Sequence, residues 1–467
     1  MNFKKIEAAD IAFFEQTIGT ANVFTDNASI QKYAVDETVD AAFAPEVVLK
    51  PISAEEISKI LSYCNAQHIP VSPRAAGTGL SANSLPIHGG VTLSIERMNR
   101  ILEIDERNLQ VTTEPGVITE LLQNTLKEKG LFYPPDPSSR GTSFIGGNVA
   151  CNSGGPRAVK YGVVKDYVLN LEVVLPSGKI MWTGANVLKN STGYNFTQLF
   201  VGSEGTLGII TKIVLKLIPH PKTNLVMLVP FKSMEKASEA VSAIFRAGIV
   251  PSCLEFMERD AIEWVCNFLG DVTIAIDDET QAHLLIEMDG NDIAQIQKEC
   301  EQLYEVVNEF DCGEILFADN EAQKADLWRM RRNAAYAIKK TAITIEEDTV
   351  VPRADLPILL KSIKQIGAKY GFKSVCYGHA GDGNVHVRIV KGSLSDEAWK
   401  TEIQGKAVRE IFEKVHQLKG TISGEHGIGW IQRQYMDIKF DAAHLDLMRG
   451  VKAVFDPNGI LNPSKIF

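Results

Sequence analysis

The sequence predicts an α+β protein with two domains and a C-terminal segment that returns to the first domain. Residues 1–220 contain short β-branched runs separated by Gly, Pro, Ser and Asn, a pattern typical of strands joined by turns. Residues 221–420 alternate such runs with longer amphipathic helices, which predicts helices covering an antiparallel sheet. Residues 421–467 end in DPNGILNPSKIF, which is again rich in Pro, Gly and Asn and resembles the first domain.

The composition limits the class of protein. Hydrophobic residues make up 45% of the chain and charged residues 23%, the balance of an ordinary soluble globular protein. The formal net charge of -10 disfavours nucleic acid as a partner, because phosphate binding needs clustered Lys and Arg. It does not exclude an anionic substrate, since a few local cations outweigh a distant average charge.

The cysteines and the apolar runs predict a cytosolic protein. None of the 7 cysteines forms a Cys-x-x-Cys pair, so we expect reduced thiols and neither a disulfide framework nor an iron–sulfur site. The N-terminus lacks an apolar run of signal length. No run approaches the about 18 apolar residues of a transmembrane helix, so any membrane association would be peripheral.

In the first domain, helices are predicted at residues 54–67, with Ser53 placed to cap the N-terminus, and at residues 118–130, which end in Gly. Pro219 and Pro221 mark the domain boundary. Strands are predicted at 89–95, 109–116, 168–178 and 208–218.

In the second domain, apolar residues at spacings of three and four predict amphipathic helices. These helices are expected at residues 233–248, 293–310 and 356–371. The basic segment LWRMRRNAAYAIKK at 327–340 is also predicted to be helical.

The glycine-rich segment RAAGTGLSA at 74–82 formally matches a dinucleotide fingerprint through Gly77, Gly79 and Ala82. A Rossmann fold needs a helix that starts inside this motif, and the following SLPIHGG would break it. Glycines still let backbone amides approach a diphosphate closely, because no Cβ is in the way. A surface turn is the alternative interpretation of this segment.

Two further segments are dense in Gly, Ser and Asn. PPDPSSRGTSFIGGNVACNSGG at 134–155 lacks the charges of a solvated loop, and its IGGNVA centre is apolar. Such a segment is expected where the backbone surrounds a large ligand. VGSEGTLGIIT at 201–211 joins a glycine-bearing turn to an apolar strand.

The ordered series PRAAGTGLS, PPDPSS, GGNVACNSGG, YGVVKDYVLNLEVVLPSG and GYNFTQLFVGSEGTLGIIT resembles the PCMH-type FAD-binding domain of the vanillyl-alcohol-oxidase fold. More narrowly, it resembles the FAD-linked D-2-hydroxyacid dehydrogenases, in the branch of D-lactate dehydrogenase and the glycolate oxidase catalytic subunit. The resemblance extends over nearly the whole chain, through DPNGILNPSK.

The resemblance implies which residues contact FAD. The loop around the diphosphate would comprise Arg74, Ala76, Gly77, Thr78, Gly79, Leu80 and Ser81. The flavin and its chain would be lined from the second glycine-rich segment by Pro135, Asp136, Pro137, Ser138, Gly141, Thr142, Gly146, Gly147, Asn148, Ser153 and Gly154. The ribityl–adenine side would be contacted by Tyr161, Gly162, Glu204, Gly205, Gly208, Ile209 and Ile210. Asn462 would lie near the isoalloxazine.

We expect FAD to be bound without a covalent bond. Some members of the wider family tether FAD through a His or a Tyr, whereas this loop ends in Leu80 and Ser81, and neither can form that bond. His88 is the only nearby histidine and is interpreted as a loop residue.

Histidines concentrate in GHAGDGNVHVRIV at 378–390 and SGEHGIGW at 423–430. His379, His386 and Glu425 form an open ligand set that suits Zn²⁺ or Mn²⁺, with Fe²⁺ as a further possibility. Gly381 and Gly383 would allow the chain to turn between the two histidines. Scattered structural histidines and loop acids are the alternative.

The family resemblance assigns roles to these residues. His379, His386 and Glu425 would bind the metal, and His426 would be the general base. The substrate carboxylate and 2-hydroxyl would chelate the metal, which acidifies the hydroxyl. His426 would accept this proton while the C2 hydrogen leaves as hydride to flavin N5.

The substrate carboxylate also needs a cation. Position in the family favours Arg331, through the Trp-x-x-Arg spacing from Trp328, and a guanidinium suits bidentate carboxylate binding. Asn384 is a further expected substrate contact, and alternation along the strand places Arg388 on the same face as His386. Glu346 and Glu347 favour a short monocarboxylate such as D-lactate or glycolate, whereas Arg388 would suit D-2-hydroxyglutarate.

Several functional alternatives stay open from the sequence. An oxidase would pass electrons to O₂, an alkylglycerone-phosphate-synthase-like transferase would use FAD without net oxidation, and a non-catalytic chain would bind FAD within a multi-chain glycolate oxidase. Because the chain lacks iron–sulfur cysteines, electrons must leave to a separate acceptor, which this branch implies is a quinone, a cytochrome or an electron-transfer protein. A homodimer and a hetero-subunit assembly are both compatible with the sequence.

Overall fold

The computed structural model describes residues 3–272, 274 and 276–467. They divide into two compact units. The first unit consists of Met1–Gly154, Val163–His220 and Glu425–Phe467, and the second of Gly155–Gly162 and Pro221–Gly424. The short segment Gly155–Gly162, which lies within the first domain expected from the sequence, thus belongs to the second unit.

Both units contain strands and α-helices. The strands are β1 (Val23–Phe24), β2 (Val47–Leu49), β3 (Val71–Arg74), β4 (Val91–Ser94), β5 (Ile101–Asp105), β6 (Gln110–Thr113), β7 (Leu131–Phe132), β8 (Val168–Val174), β9 (Ile180–Trp182), β10 (Ile209–Lys216), β11 (Ile218–Pro219), β12 (Thr223–Phe231), β13 (Cys253–Glu258), β14 (Ala282–Gly290), β15 (Leu316–Phe317), β16 (Thr344–Val350), β17 (Lys373–Gly378) and β18 (Asn384–Val390). The α-helices are α1 (Ala8–Ile18), α2 (Asn27–Tyr33), α3 (Ala54–Gln67), α4 (Thr119–Lys127), α5 (Ile145–Cys151), α6 (Ala158–Tyr161), α7 (Phe196–Phe200), α8 (Met234–Arg246), α9 (Arg259–Leu269), α10 (Ile293–Asn308), α11 (Glu321–Thr341), α12 (Leu356–Tyr370), α13 (Asp396–Ala398), α14 (Val408–Gln417), α15 (Met436–Lys439) and α16 (Ala442–Phe455). In the part of the chain that is described, no helix is both long and apolar enough to cross a bilayer.

The first unit is built on two sheets. One has the strand order β1-β2-β4-β3, in which β2 and β3 both run parallel to β4. The other is antiparallel with the order β5-β6-β10-β8-β9. Helix α3 begins after Ser53, whose hydroxyl accepts the amide of Glu56, and buries Ile57, Ile60 and Leu61 in the core. The predicted cap and the predicted helix at 54–67 are confirmed.

The second unit is a seven-stranded antiparallel sheet with the order β15-β12-β14-β13-β17-β18-β16. Its predicted helices are present as α8, α10, α11 and α12. Side chains alternate across a strand, so Met257 and Tyr377 pack with α9 and α11, while Glu258 pairs with Lys364 of α12 on the opposite face. The face toward α11 carries the polar residues of the candidate site.

Candidate functional site

The two histidines of the first motif lie at the ends of a tight connection between β17 and β18. His379 follows β17, and His386 lies within β18 opposite Tyr377. Gly383, at φ +85°, completes the turn, and a Cβ there would lie 1.9 Å from the carbonyl oxygen of Val351. The imidazole centroids are 5.3 Å apart, and the two rings offer nitrogens within 4.8 Å of each other. The structure therefore brings together the two histidines predicted to bind a metal.

A buried carboxylate holds His379. Glu255 of β13 is fully buried, and its two oxygens lie 2.8 and 2.9 Å from His379 Nδ1. The second of these oxygens lies 2.6 Å from Arg331 Nη2. Burial acts to raise the pKa of Glu255, but the charges of His379 and Arg331 outweigh it and lower that pKa. Sequence reasoning missed Glu255, which lies 124 residues before His379 and carries no motif of its own.

Asp348 is a second site carboxylate that sequence reasoning missed. It lies on β16 opposite His386 and offers an oxygen within 4.8 Å of a ring nitrogen of that histidine. The Asp348 carboxylate accepts hydrogen bonds from Asn384 Nδ2 at 2.7 Å and from the backbone amide of Gly424 at 2.8 Å. Asn384, predicted as a substrate contact, therefore uses its amide group to hold Asp348. The sequence EEDTVVP contained a signal for Asp348, because residues 346 and 348 of a strand lie on the same face.

Arg331 extends from α11 and is 3% exposed. Its guanidinium lies over the ring of Tyr377 at 5.4 Å, and Nη2 contacts Glu255. Among the described residues, its Nε has no hydrogen-bond acceptor. A buried guanidinium whose Nε–H has no protein acceptor is suited to bind the carboxylate of a small ligand. Arg329 instead pairs with Asp271, away from this guanidinium.

Arg388 lies on the same face as His386, as the strand alternation predicts, but it is paired within the sheet. Its guanidinium forms an ion pair with Glu346 and donates to Thr344 Oγ1 at 3.3 Å. Tyr377 donates its hydroxyl to the same Glu346 carboxylate at 3.0 Å. Burial acts to lower the pKa of Arg388, yet the charge of Glu346 outweighs it and raises that pKa. The side chain is thus a permanently charged partner of Glu346.

Glu425 and His426 open the last segment of the first unit. Glu425 Oε2 lies close to Gly154, where an added Cβ would approach it to 2.9 Å. Asn83 Nδ2 lies 3.5 Å from the carbonyl oxygen of His426, and Ser81 donates its hydroxyl to the Gly427 carbonyl at 3.0 Å. The predicted base and the third predicted ligand therefore lie beside residues expected to contact FAD.

The predicted diphosphate loop follows β3 directly. Within the described chain, the backbone amides of residues 76–80 donate no hydrogen bond to protein atoms, and these residues are half-buried. Gly77 has φ +74°, and a Cβ there would lie 2.2 Å from Arg74 Nη2. The guanidinium of Arg74 fills the space beneath the loop, 5.3 Å from the ring of Tyr33. A run of amides without partners fits an anionic diphosphate.

Two other predicted cofactor contacts meet in one network. Glu204 accepts hydrogen bonds from Asn83 Nδ2 at 2.7 Å and from the amides of Ile428 and Gly429, both at 2.8 Å. Asn462 donates its side-chain amide to the carbonyls of Asn83 at 2.9 Å and Glu204 at 2.7 Å. This network joins the segment that precedes β10 to the glycine-rich loop of the same unit.

The remaining predicted FAD contacts are distributed along the chain as follows. Pro135, Asp136, Pro137, Ser138, Gly141 and Thr142 lie between β7 and α5; Gly146, Gly147 and Asn148 lie in α5; Ser153 and Gly154 follow it; Gly205 and Gly208 precede β10; and Ile209 and Ile210 begin it. Gly147 abuts the loop, since an added Cβ would lie 2.9 Å from Ala75 Cβ. Tyr161 and Gly162 belong to the second unit, where the Tyr161 hydroxyl donates to Asp289 at 2.8 Å.

Two family models match the chain. One describes an FAD binding domain and matches residues 45–184; the other describes the C-terminal domain of FAD linked oxidases and matches residues 220–466. The chain is 40% identical over 454 residues to the glycolate oxidase subunit GlcD of Bacillus subtilis (strain 168), covering 97% of this chain and 95% of that protein. It is 39% identical over 426 residues to a D-lactate dehydrogenase of Anaerostipes hadrus, covering 90% and 89%.

The fold is also found in solved structures. A crystal structure of p-cresol methylhydroxylase with substrate bound superposes with a TM-score of 0.81 at 18% identity, covering 99% of this chain and 98% of that one. Identity this low shows the fold alone. The fold is the vanillyl-alcohol-oxidase type, with a PCMH-type FAD-binding domain and a cap domain built on the seven-stranded antiparallel sheet. By these matches, the chain belongs to the family of FAD-linked oxidases.

Proposed function

We propose that this protein is an FAD-dependent dehydrogenase that oxidises a D-2-hydroxy acid such as D-lactate, or the achiral 2-hydroxy acid glycolate, to the 2-oxo acid. One observation carries the proposal: Arg331, a cation suited to a carboxylate, lies on the same sheet face as His379 and His386, two imidazoles suited to a metal. Arg331 has a buried Nε without a protein acceptor among the described residues, and Glu255 contacts both Arg331 and His379. The names of the two relatives, a glycolate oxidase subunit and a D-lactate dehydrogenase, support the same substrate class.

Each residue of the site then has a role. Arg331 holds the substrate carboxylate, and His379, His386 and Glu425 hold a divalent cation, Zn²⁺ or Mn²⁺ or alternatively Fe²⁺. Bound FAD supplies a two-electron acceptor for the C2 hydrogen, and the metal supplies a Lewis acid that acidifies the 2-hydroxyl. His426 takes the hydroxyl proton as the general base.

Chain continuity supports including Glu425 in this set. Asp348, next to His386, binds the amide of Gly424, and Glu425 is the following residue. Consecutive Cα atoms are about 3.8 Å apart, and Glu425 and His426 are the two residues that follow Gly424. Asp348 therefore orients the backbone immediately before Glu425.

The charges favour a monocarboxylate substrate over D-2-hydroxyglutarate. Arg388 is the cation that would suit a second carboxylate, and its charge is matched by Glu346. A second carboxylate would therefore face a neutral pair rather than a free cation. The dicarboxylate remains the alternative substrate, to be tested directly.

A flavin-binding subunit within a multi-chain glycolate oxidase is the second candidate, since one relative is named as a subunit. The pair of histidines and the buried Arg331 favour a catalytic chain, because a chain that only binds flavin has no chemical use for them. In either case electrons pass to a separate acceptor: a quinone, a cytochrome or an electron-transfer protein.

Anaerobic stopped-flow absorbance of the purified flavoprotein tests the proposal. We expect D-lactate or glycolate to bleach the flavin faster than L-lactate or D-2-hydroxyglutarate, and EDTA to abolish the bleaching. Bleaching that is indifferent to EDTA would remove the metal from the proposal. A protein that binds no FAD, or FAD that no 2-hydroxy acid reduces, would overturn it.

A further inference from the structure

We propose that Glu255 is a positioning residue that orients His379 for metal binding and Arg331 for substrate binding at once. The proposal rests on the function proposed above. It assigns one buried carboxylate to both halves of the site, so that a change at Glu255 would weaken the metal and the substrate together.

The contact with His379 sets which ring nitrogen carries the proton. Both oxygens of Glu255 lie within 2.9 Å of His379 Nδ1, so this nitrogen donates to the carboxylate. In the neutral imidazole with its proton on Nδ1, Nε2 carries the lone pair through which an imidazole binds a metal. A carboxylate on the far nitrogen also makes the imidazole a stronger ligand and fixes the plane of the ring.

The contact with Arg331 sets which donors remain for a ligand. Arg331 Nη2 lies 2.6 Å from Glu255 Oε2, an ion pair that holds one side of the guanidinium without hydrogen-bond geometry. Its Nε has no acceptor among the described residues, although the side chain is 3% exposed. Without Glu255 the guanidinium would be a buried charge without its counter-ion, and it would reorient toward another acceptor.

The backbone that carries Glu255 is an inner strand of the sheet. Glu255 lies on β13, which pairs with β14 on one side and with β17 on the other. His379 directly follows β17, and Arg331 lies in the middle of the long helix α11. Side chains from two separate elements, the end of β17 and helix α11, thus meet one carboxylate on β13, as expected for a group that fixes their relative orientation.

Glu258 offers a matched control on the same strand. It is 3% exposed and its carboxylate pairs with Lys364 at 2.7 Å, but it lies on the opposite face of the sheet. Glu258→Gln therefore removes a buried paired carboxylate from β13 without touching His379 or Arg331. Glu255→Asp is the conservative variant, which keeps the charge and withdraws it by one methylene group.

The experiment measures Zn²⁺ affinity of the flavin-loaded protein by competition with a chromophoric chelator, together with the visible spectrum of the Co²⁺-loaded form. We expect Glu255→Gln to weaken Zn²⁺ binding by about 10- to 100-fold and to change the Co²⁺ bands. The KM for D-lactate should rise as well, because Arg331 loses its anchor. Glu258→Gln should leave the Zn²⁺ affinity within about twofold of the wild type and the Co²⁺ bands unchanged.

Three results would overturn the proposal: wild-type Zn²⁺ affinity in Glu255→Gln, an equal loss in Glu258→Gln, or no Zn²⁺ or Co²⁺ binding by the wild type. If Glu255→Gln does not fold, Glu255→Asp is measured in the same assay. We expect this variant to bind Zn²⁺ more weakly than the wild type, and an unchanged Zn²⁺ affinity would contradict the proposal. A wild type that binds Zn²⁺ but reduces its flavin with no 2-hydroxy acid refutes the proposed function alone, since the metal affinities still report on Glu255.

Discussion

Arg388 and Glu346 lie directly opposite each other on strands β18 and β16 and form a buried ion pair. The same carboxylate accepts the hydroxyl of Tyr377 at 3.0 Å. Both residues lie on the sheet face that carries His386 and Asp348. The charge of Arg388 is therefore neutralised by Glu346. A second substrate carboxylate at this position would meet a neutral ion pair.

Replacing Glu346 should change substrate preference. Glu346→Gln leaves the positive charge of Arg388 uncompensated, so the ratio of kcat/KM for D-2-hydroxyglutarate to that for D-lactate should rise about tenfold. Steady-state assays with an artificial electron acceptor give this ratio. Glu347→Gln, at the next position and on the other face of β16, should leave the ratio unchanged. An unchanged ratio in Glu346→Gln would show that Arg388 plays no part in substrate choice.

Local patterns predicted much of this fold. Helix α3 begins after Ser53 and the basic helix spans Arg331, because capping and apolar periodicity are properties of neighbouring residues. The placement of Arg388 beside His386 followed from strand alternation in the same way. These features need no knowledge of which strands pair.

The pairing of distant strands could not be predicted, and it decides the chemistry of the site. Glu346 meets Arg388 only because β16 pairs with β18 in one register, and a shift by one residue would place Glu347 there instead. Glu255 contacts His379 because β13 pairs with β17, although the two residues are 124 positions apart in the sequence. Sequence reasoning therefore found the two histidines and missed Glu255, the carboxylate that holds His379.

Gly77 should be needed for FAD binding. Gly77→Ala places a Cβ 2.2 Å from Arg74 Nη2 at a φ of +74°, so the loop or the guanidinium must move. We expect the ratio of flavin to protein absorbance after purification to fall at least about tenfold, since the amides of this loop are predicted to bind the diphosphate.

Gly130→Ala is the matched control for Gly77→Ala. Gly130 has a φ of +69°, but no described atom lies within 4 Å of the position that an added Cβ would take, so the substitution brings the backbone strain alone. It should cost about 1 kcal/mol of stability and retain FAD. Full flavin content in Gly77→Ala would argue against a diphosphate at this loop.

Glu204 should hold the segment that begins at Glu425. Glu204→Ala leaves Asn83 and the amides of Ile428 and Gly429 without their acceptor, and it should lower the free energy of unfolding by about 3 to 5 kcal/mol. Hydrogen exchange at the two amides should accelerate before global unfolding. Glu120→Ala, which removes a partly exposed pair with Arg140, should cost less than about 1 kcal/mol. Protected amides in Glu204→Ala would contradict this role.

His283 should make the protein less stable in acid. It is 2% exposed on β14, and its Nδ1 has no hydrogen-bond partner among the described residues. Burial lowers the pKa of His283 from 6.5 to about 4. Between these values the unfolded chain binds a proton that the folded chain does not, so stability is full above about pH 6.5 and is lost as the pH falls toward 4.

Substituting His283 should remove this loss. From pH 7 to pH 5, the wild type should lose about 2 kcal/mol through this one residue, a loss that His283→Leu lacks. Urea unfolding at the two pH values measures the difference, and other acid-sensitive groups cancel because both proteins contain them. His416→Gln, an exposed position on α14, should behave as the wild type. Equal losses in wild type and His283→Leu would mean that the buried imidazole is protonated in the folded protein as readily as in the unfolded chain.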